Sequence, residues 1–321
     1  MIIIKKIIEV INSENNNSFL VVSHTSPDGD AVGSSLALYH SLKKLGKKAE
    51  VSINDEIPTN LLFLPGAKNI IKFNGERFFD VIIVVDCSDL RRVGIKNIQD
   101  CCKILINIDH HQNNENFGDV NYVKTNVSSV GEIIYVLLDS MEIDISKNIA
   151  LNLYTAILTD TGSFRYSNTY PSTHKIASEL LDRGINPDEV YREIYEKKSL
   201  ESLKLLSLAL KLLKVNKDKN IAWVSLKNED IKQLKVEEKD FEGLVNYPRI
   251  IDGVEVAVLF REKENNLIKV SLRSNSRLDV GEIAYNLGGG GHKRASGCEL
   301  SGNIQEIEKL VLNEIEKYMY K

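Results

Sequence analysis

The stretch FLVVSHTSPDGDAVGS, residues 19–34, decides the fold. Four apolar residues and a serine lead into a histidine, a Pro-Asp-Gly turn signal and a second aspartate. Small and apolar residues then resume at helical spacing. An unbroken apolar run that stops at such a turn reads as a strand buried on both faces, and the resumption reads as a helix. The helix extends through AVGSSLALYHSLKKLG, 31–46, to Gly46, a capping residue preceded by lysines in the last turn.

The same alternation continues outward. AEVSIN (49–54), DVIIVVDCS (80–88) and KILINIDHH (103–111) read as further strands, two of them continuous runs typical of a covered parallel sheet. Upstream, MIIIKKIIEVINSENNN (1–17) is short and broken by lysines, an amphipathic helix rather than a signal peptide. Downstream, SSVGEIIYVLLDSM, SKNIALNLYTAILTDTG, STHKIASELLDRG and PDEVYREIY read as helices. The leucine-rich segment 196–218 reads as a connecting helix. Beyond it, NIAWVSL, GVEVAVLFRE and LIKVSLRS read as strands, and DVGEIAYNLGGGG and NIQEIEKLVLNEIEKYMY as helices. The expected architecture is α/β: a doubly wound, mainly parallel sheet over 1–195, a linker helix over 196–218, and a smaller α+β domain over 219–321.

A chain of 321 residues is long enough for two such cores. Its net charge of −4 argues against a duplex-coating protein, so a nucleic-acid partner would be a short piece held in a pocket. The four cysteines, Cys87, Cys101, Cys102 and Cys298, form no C-x-x-C pair and read as reduced, buried thiols. No apolar run approaches the ~18 residues of a membrane span. The expected address is the cytoplasm, with no membrane partner.

In doubly wound sheets ligands gather at the carboxyl ends of the strands. Three strand ends here terminate in acid or histidine: His24, Asp28 and Asp30 after the first, Asp86 after DVIIVV, and Asp109, His110 and His111 after KILINI. Asp160 closes an apolar helix in AILTDTGS. Any one of these would be unremarkable, since Asp is a common turn former and helix cap, and Asp30 could simply cap the helix at Ala31. Four such ends at one sheet edge make a site. Carboxylate and imidazole without thiolate favour Mn²⁺ or Mg²⁺, with Fe²⁺, Co²⁺ or Zn²⁺ as alternatives, and so many carboxylates suit the two-ion arrangement used for phosphoryl displacement. Gly33 and Ser34 open the helix, where backbone amides could hold an anion. No P-loop lysine and no G-x-G-x-x-G is present.

In GGGGHKRASG, 288–297, exposed amides beside His292, Lys293 and Arg294 form a phosphate-binding pattern, with Arg273 and Ser274 nearby in the same domain. Weaker signals are Arg91 and Arg92, as suited to solvent as to an anion, and Phe164 and Tyr166, which could stack on a base. His40, His174 and Trp223 read as structural.

With these residues placed, the chain resembles the DHH phosphoesterase superfamily with a C-terminal DHHA1 domain. The resemblance rests on HTSPDGDAVGSS, VVDCSD, DHH at 109–111, LTDTGSF at 158–164 and GGGGHKRASG, and spans nearly the whole chain. Length and layout resemble the nanoRNase/pAp phosphatase subfamily, the bifunctional oligoribonucleases. The resemblance implies an active site in the cleft between the domains, with one metal on His24, Asp28 and Asp86 and a second on Asp30, Asp86, His110 and Asp160. It further implies Asp109 as the group that orients an imidazole and His111 as the contact to the scissile phosphate, so that His111, Asp86 and Asp109 form the catalytic set. Arg273, Ser274, Gly289, Gly290, Gly291, His292 and Lys293 would bind the rest of the substrate. Two divalent ions are implied, Mn²⁺ first and Mg²⁺ or Co²⁺ after it. Substrates would be short RNA or DNA oligonucleotides and nucleoside bisphosphates, with pApA or cyclic dinucleotides as the alternative reading. Ala295-Ser296-Gly297 departs slightly from the family's Ala-Ala-Gly. A homodimer is compatible with the resemblance, although no stretch marks an interface. A family II pyrophosphatase would lack the glycine-histidine motif, a RecJ-type exonuclease would want a further nucleic-acid domain, and a nucleotide sensor would have lost a ligand.

Overall fold

The computed structural model describes residues 2–218, 220–241, 243–275 and 278–319. It separates into two compact units, 1–197 and 198–321.

The first unit comprises α1 (Ile2–Asn12), β1 (Ser18–Val22), α2 (Gly29–Lys44), β2 (Lys48–Ser52), β3 (Ile70–Ile71), β4 (Phe79–Val85), β5 (Cys102–Asp109), β6 (Val120–Val123), α3 (Val130–Ser140), α4 (Lys147–Asp160), α5 (Pro171–Leu181) and α6 (Pro187–Tyr191). Its sheet has the order β3-β2-β1-β4-β5-β6, every pair parallel. β1 and β4 buttress each other at the centre, as their unbroken apolar runs require. Phe19 and Val21 enter the helical core with Val81, Ile83 and Val85, while Leu20 and Val22 face the opposite side. That second face is covered by irregular chain and short 3₁₀ turns at Leu90–Val93 and Ile98–Cys101 rather than by long helices. The edge strands β3 and β6 are additional to those read from sequence. With two and four residues they carry too little alternation to register.

This strand order has its switch point between β1 and β4: β1 leads through α2 to one side, and β4 leads to β5 on the other. The diverging connections open a crevice at the carboxyl ends of β1 and β4. α2 begins at Gly29, not Ala31, and its N-cap is Asp28, whose Oδ1 accepts from the Ala31 amide at 3.0 Å. Capping therefore does not account for Asp30, which lies inside the first turn. Gly46 follows the helix end in the left-handed conformation (φ 78°).

The second unit comprises α7 (Leu200–Lys211), β7 (Lys214–Val215), β8 (Ile221–Leu226), α8 (Asn228–Ile231), α9 (Asn246–Arg249), β9 (Val256–Glu262), β10 (Leu267–Ser274), α10 (Val280–Asn286), β11 (Gly290–His292), β12 (Ala295–Ser301) and α11 (Ile304–Met319). Its sheet runs β11-β12-β10-β9-β8-β7, with β8 and β9 parallel and the other pairs antiparallel. α10 and α11 cover one face, and α7 packs Leu205 and Ala209 with Phe241 and Leu244 on the other. The helix read as a connector is therefore 200–211 and shares the second unit's core. Trp223 is half-buried against the α10–α11 face.

Candidate metal centre

His24 and Asp28 follow β1, Asp86 follows β4, and His110 and His111 follow β5, so neighbouring central strands deliver all five to one edge. Asp30 lies in the first turn of α2, and Asp160 ends α4. Two glycines let these helices approach. A Cβ on Gly29 would lie 2.3 Å from Thr159 Oγ1, and one on Gly33 would lie 2.5 Å from the Asn152 carbonyl. Gly33 is thus a helix-packing residue in the second turn, and Ser34 donates its hydroxyl to Asp30 at 2.8 Å. The reading of this pair as an anion site is corrected: both lie inside the helix rather than at its open end.

Asp86 is the centre of the cluster. It is buried and has φ 54°, a left-handed conformation that strains a non-glycine residue. The strain aims its carboxylate between two groups. Oδ2 lies 3.5 Å from His24 Nε2, and Oδ1 lies 3.6 Å from His110 Nε2. His110 Nε2 is in turn 3.6 Å from Asp160 Oδ2 and 4.0 Å from Asp30 Oδ2. His24, Asp28 and Asp86 form one group able to hold an ion, and Asp30, His110 and Asp160 form another.

The electrostatics call for cations. Burial pushes Asp30 up to about 7, with Asp28 adding to the shift, and burial and the neighbouring carboxylates raise Asp86 and Asp160 well above the ordinary range. Asp86 Oδ1 and Asp160 Oδ2 are buried without a hydrogen-bond donor. Such atoms are costly unless a charge compensates them. The imidazoles are set up as lone-pair donors. The 2.7 Å contact between His24 Nδ1 and the Thr25 carbonyl requires a proton at Nδ1, which leaves Nε2 free. Burial, aided by the His111 charge, lowers His110 to about 4, so it is neutral at physiological pH. The donor set fits divalent metal ions.

Asp109 and His111 form a different arrangement. Asp109 is fully buried; its Oδ1 accepts from His111 Nδ1 at 2.7 Å and its Oδ2 from Asn114 Nδ2 at 2.6 Å. Burial pushes Asp109 up, but the His111 bond and charge outweigh it and hold the carboxyl below its usual value. The same bond raises His111. His111 Nδ1 also lies 3.7 Å from Asp86 Oδ1, within a third potential ligand group. Because Nδ1 is engaged by Asp109, its free atom is Nε2, on a ring about one-third exposed.

Residues 18–157 match the DHH family, N-terminal domain, and residues 218–321 match the DHHA1 domain. A bifunctional oligoribonuclease and PAP phosphatase NrnA of Thermus thermophilus is 31% identical over 92% of this chain and 89% of that protein. The chain belongs to the DHH family. The like-named protein of Bacillus subtilis is 28% identical over 88% of this chain and 90% of its own. The crystal structure of an exopolyphosphatase-related protein from Bacteroides fragilis superposes with a TM-score of 0.92 at 35% identity, covering 99% of this chain and 96% of that one.

Within this DHH protein, the other sequence signals divide. Arg91 is exposed and paired with Asp89, whereas Arg92 is half-buried and its charge acts on His111. Arg92 is thus a residue to which sequence gave only even standing. Partly buried Phe164 stacks on the exposed His174, while half-exposed Tyr166 lies across Gly162. His40 is structural, contacting the Pro65 carbonyl through Nε2 at 2.9 Å. In the DHHA1 domain, GGGGHKRASG is a hairpin of β11 and β12 with Lys293 and Arg294 at the turn. A Cβ on Gly289 would lie 2.2 Å from the Gly297 carbonyl, so close strand approach accounts for that glycine. Gly290 is exposed and has open space around it. The side chain of His292 lies outside the described residues. Arg273 lines a cavity of about 350 Å³ with Arg261, Lys269 and Phe241. Ser274, its neighbour on β10, points to the opposite face by strand alternation and is fully buried.

Proposed function

We propose that the protein hydrolyses very short oligoribonucleotides to mononucleotides and pAp to AMP plus phosphate, using two divalent ions, Mn²⁺ in the first place. It is a metal-dependent hydrolytic phosphoesterase. The observation that carries the reading is Asp86, whose two oxygens face two separate His–carboxylate groups while one of them lacks any donor. Relatives matched over about nine-tenths of their length are named for both activities.

His24, Asp28 and Asp86 hold one ion; Asp30, Asp86, His110 and Asp160 hold the other. Bound there, the ions supply Lewis-acid chemistry, acidifying a water and offsetting charge on phosphoryl oxygens. The chain's own residues do the rest. Asp109 fixes the ring of His111 and favours its protonated form, from which Nε2–H would donate to an oxygen of the scissile phosphate. Arg92, whose charge acts on His111, adds a second cation for that phosphate. Arg273, Gly289, Gly290, Gly291, His292 and Lys293 hold the remaining phosphate or nucleotide; the exposure of Gly290, Gly291 and Lys293 supports this. We place the domain boundary at about 197 and the protein in the cytoplasm; the four free cysteines support that address.

The test is a product assay with Mn²⁺ on pAp, pApA, a five-nucleotide RNA and pyrophosphate in parallel, beside Asp86→Ala. AMP from pAp and mononucleotides from the RNA, both lost in the variant, are the expected result. Turnover of pApA without pAp would move the protein to dinucleotide hydrolysis, and cleavage of pyrophosphate alone would sink the proposal.

A further inference from the structure

Glu132, in the first turn of α3, is 2% exposed and has no place in the chemistry above. Its Oε2 accepts from the Ser128 amide (3.2 Å), the Ser128 hydroxyl (2.8 Å) and the Thr173 hydroxyl (3.0 Å), and its Oε1 accepts from the Ser172 hydroxyl (2.9 Å). All four donors are neutral. Burying a carboxylate among neutral donors is expensive compared with an apolar side chain of the same volume, so packing alone gives no reason for a glutamate here.

What Glu132 holds is the segment 128–131. Beyond Ser128, Ser129 caps α3 by accepting from the Glu132 amide at 3.2 Å. The next two amides turn toward the metal centre: Val130 N–H donates to Asp30 Oδ2 at 2.7 Å, and Gly131 N–H donates to Asp30 Oδ1 at 2.9 Å. With the Ser34 hydroxyl also on Oδ1, that oxygen has both lone pairs used, and Asp30 keeps one open lone pair, on Oδ2. Oδ2 is the oxygen that faces His110. On its other side, the Ser128 carbonyl accepts from Asn168 Nδ2 at 2.9 Å, and the same amide donates to the Asp160 carbonyl at 3.1 Å. One buried side chain thus ties the starts of α3 and α5 together, and the segment it fixes reaches two candidate ligands carried by α2 and α4.

We propose that Glu132 is a positioning residue of the metal centre: through Ser128–Gly131 it sets the direction of the open lone pair of Asp30, and through Ser128 and Asn168 it sets the end of α4 that carries Asp160. The inference rests on the metal-centre reading and deepens it. What is required is bond geometry, not charge. In Glu132→Gln the amide oxygen can take the Oε2 position and keep its three donors, while the NH₂ donates to the Ser172 oxygen. Glu132→Leu keeps the volume and loses all four bonds.

Mn²⁺ binding to the full chain, followed by calorimetry and by the spin coupling of paired Mn²⁺ in EPR, tests this beside thermal unfolding of the metal-free protein. Glu132→Gln should bind within about threefold of wild type, and Glu132→Leu should weaken one ion per chain by about tenfold or more, with loss of the coupled signal. Folded Glu132→Leu that binds both ions like wild type would make the network merely structural and overturn the proposal. Equal losses in Gln and Leu would also overturn it, since charge would then be the requirement. Should Glu132→Leu not fold, Thr173→Val, which removes one donor, is read in the same way, with a loss of about threefold expected and no change overturning it. A wild-type chain that binds no Mn²⁺ would sink the metal-centre reading itself.

Discussion

At the scale of the residue, the site separates two histidines that are adjacent in the chain. His110 lies among carboxylates but is buried deeply enough to be neutral, and His111 sits on Asp109, whose bond shifts its titration upward. NMR titration of the metal-free protein should find His110 near 4 and His111 above the ordinary histidine value. In Asp109→Asn the His111 value should fall back, and a His111 that titrates no lower in that variant would refute the pairing. For activity, His111→Asn removes the donor to the phosphoryl oxygen, with an expected loss of about 10²–10³-fold in kcat and little change in metal affinity. Residue types alone marked these positions as chemical, because aspartate and histidine at strand ends are legible in any order. Their division of labour was not, since it depends on which ring atom meets which oxygen. Ser274 shows the limit: next to Arg273 in sequence, it turns to the other side of the sheet.

At the scale of the element, long apolar runs were readable because burial on both faces leaves no polar alternation. The short edge strands and the β11–β12 hairpin were not, because a glycine-rich strand has no side-chain pattern to read. The glycines divide by cause, and that division can be tested. Gly33→Ala would push its Cβ against the Asn152 backbone, 2.5 Å away. Forcing α2 from α4 should cost about 1–3 kcal/mol in denaturant unfolding and lower activity by spreading Asp28 and Asp30 from Asp160. Gly290→Ala meets open space. Its unfolding curve should match wild type while KM for pAp rises about tenfold, roughly 1.4 kcal/mol of lost phosphate binding. An unchanged KM would remove that glycine from the substrate site.

At the scale of the whole molecule, the cluster trades stability for metal. Asp30, Asp86 and Asp160 have raised carboxyl pKa values in the metal-free fold, Asp30 at about 7. A raised acid favours the protonated native state. Its contribution is therefore full below the ordinary value of 3.8 and is lost as pH rises through about 7. Divalent ions bind the deprotonated form and reverse that loss. The rise in Tm on adding Mn²⁺ to chelator-treated protein should be larger at pH 8 than at pH 5.5; an equal or smaller rise would show that these acids are not the ligands. The two units each have their own cores, so limited proteolysis should cut first near residues 197–198.

By itself the sequence determined that this is a parallel α/β sheet followed by an α+β domain, and that carboxylates and imidazoles meet at one sheet edge. Those properties follow from local composition: apolar runs make buried strands, and polar residues after them fall at the strand ends. Only the tertiary structure decided that β1 and β4 are neighbours at the switch point and that α2 and α4 close to glycine distance. It also decided that Asp86 stands strained between two groups and that a buried glutamate from α3 fixes the segment holding Asp30. Each of these depends on contacts between residues far apart in the chain, and no local pattern encodes which partner a side chain will meet.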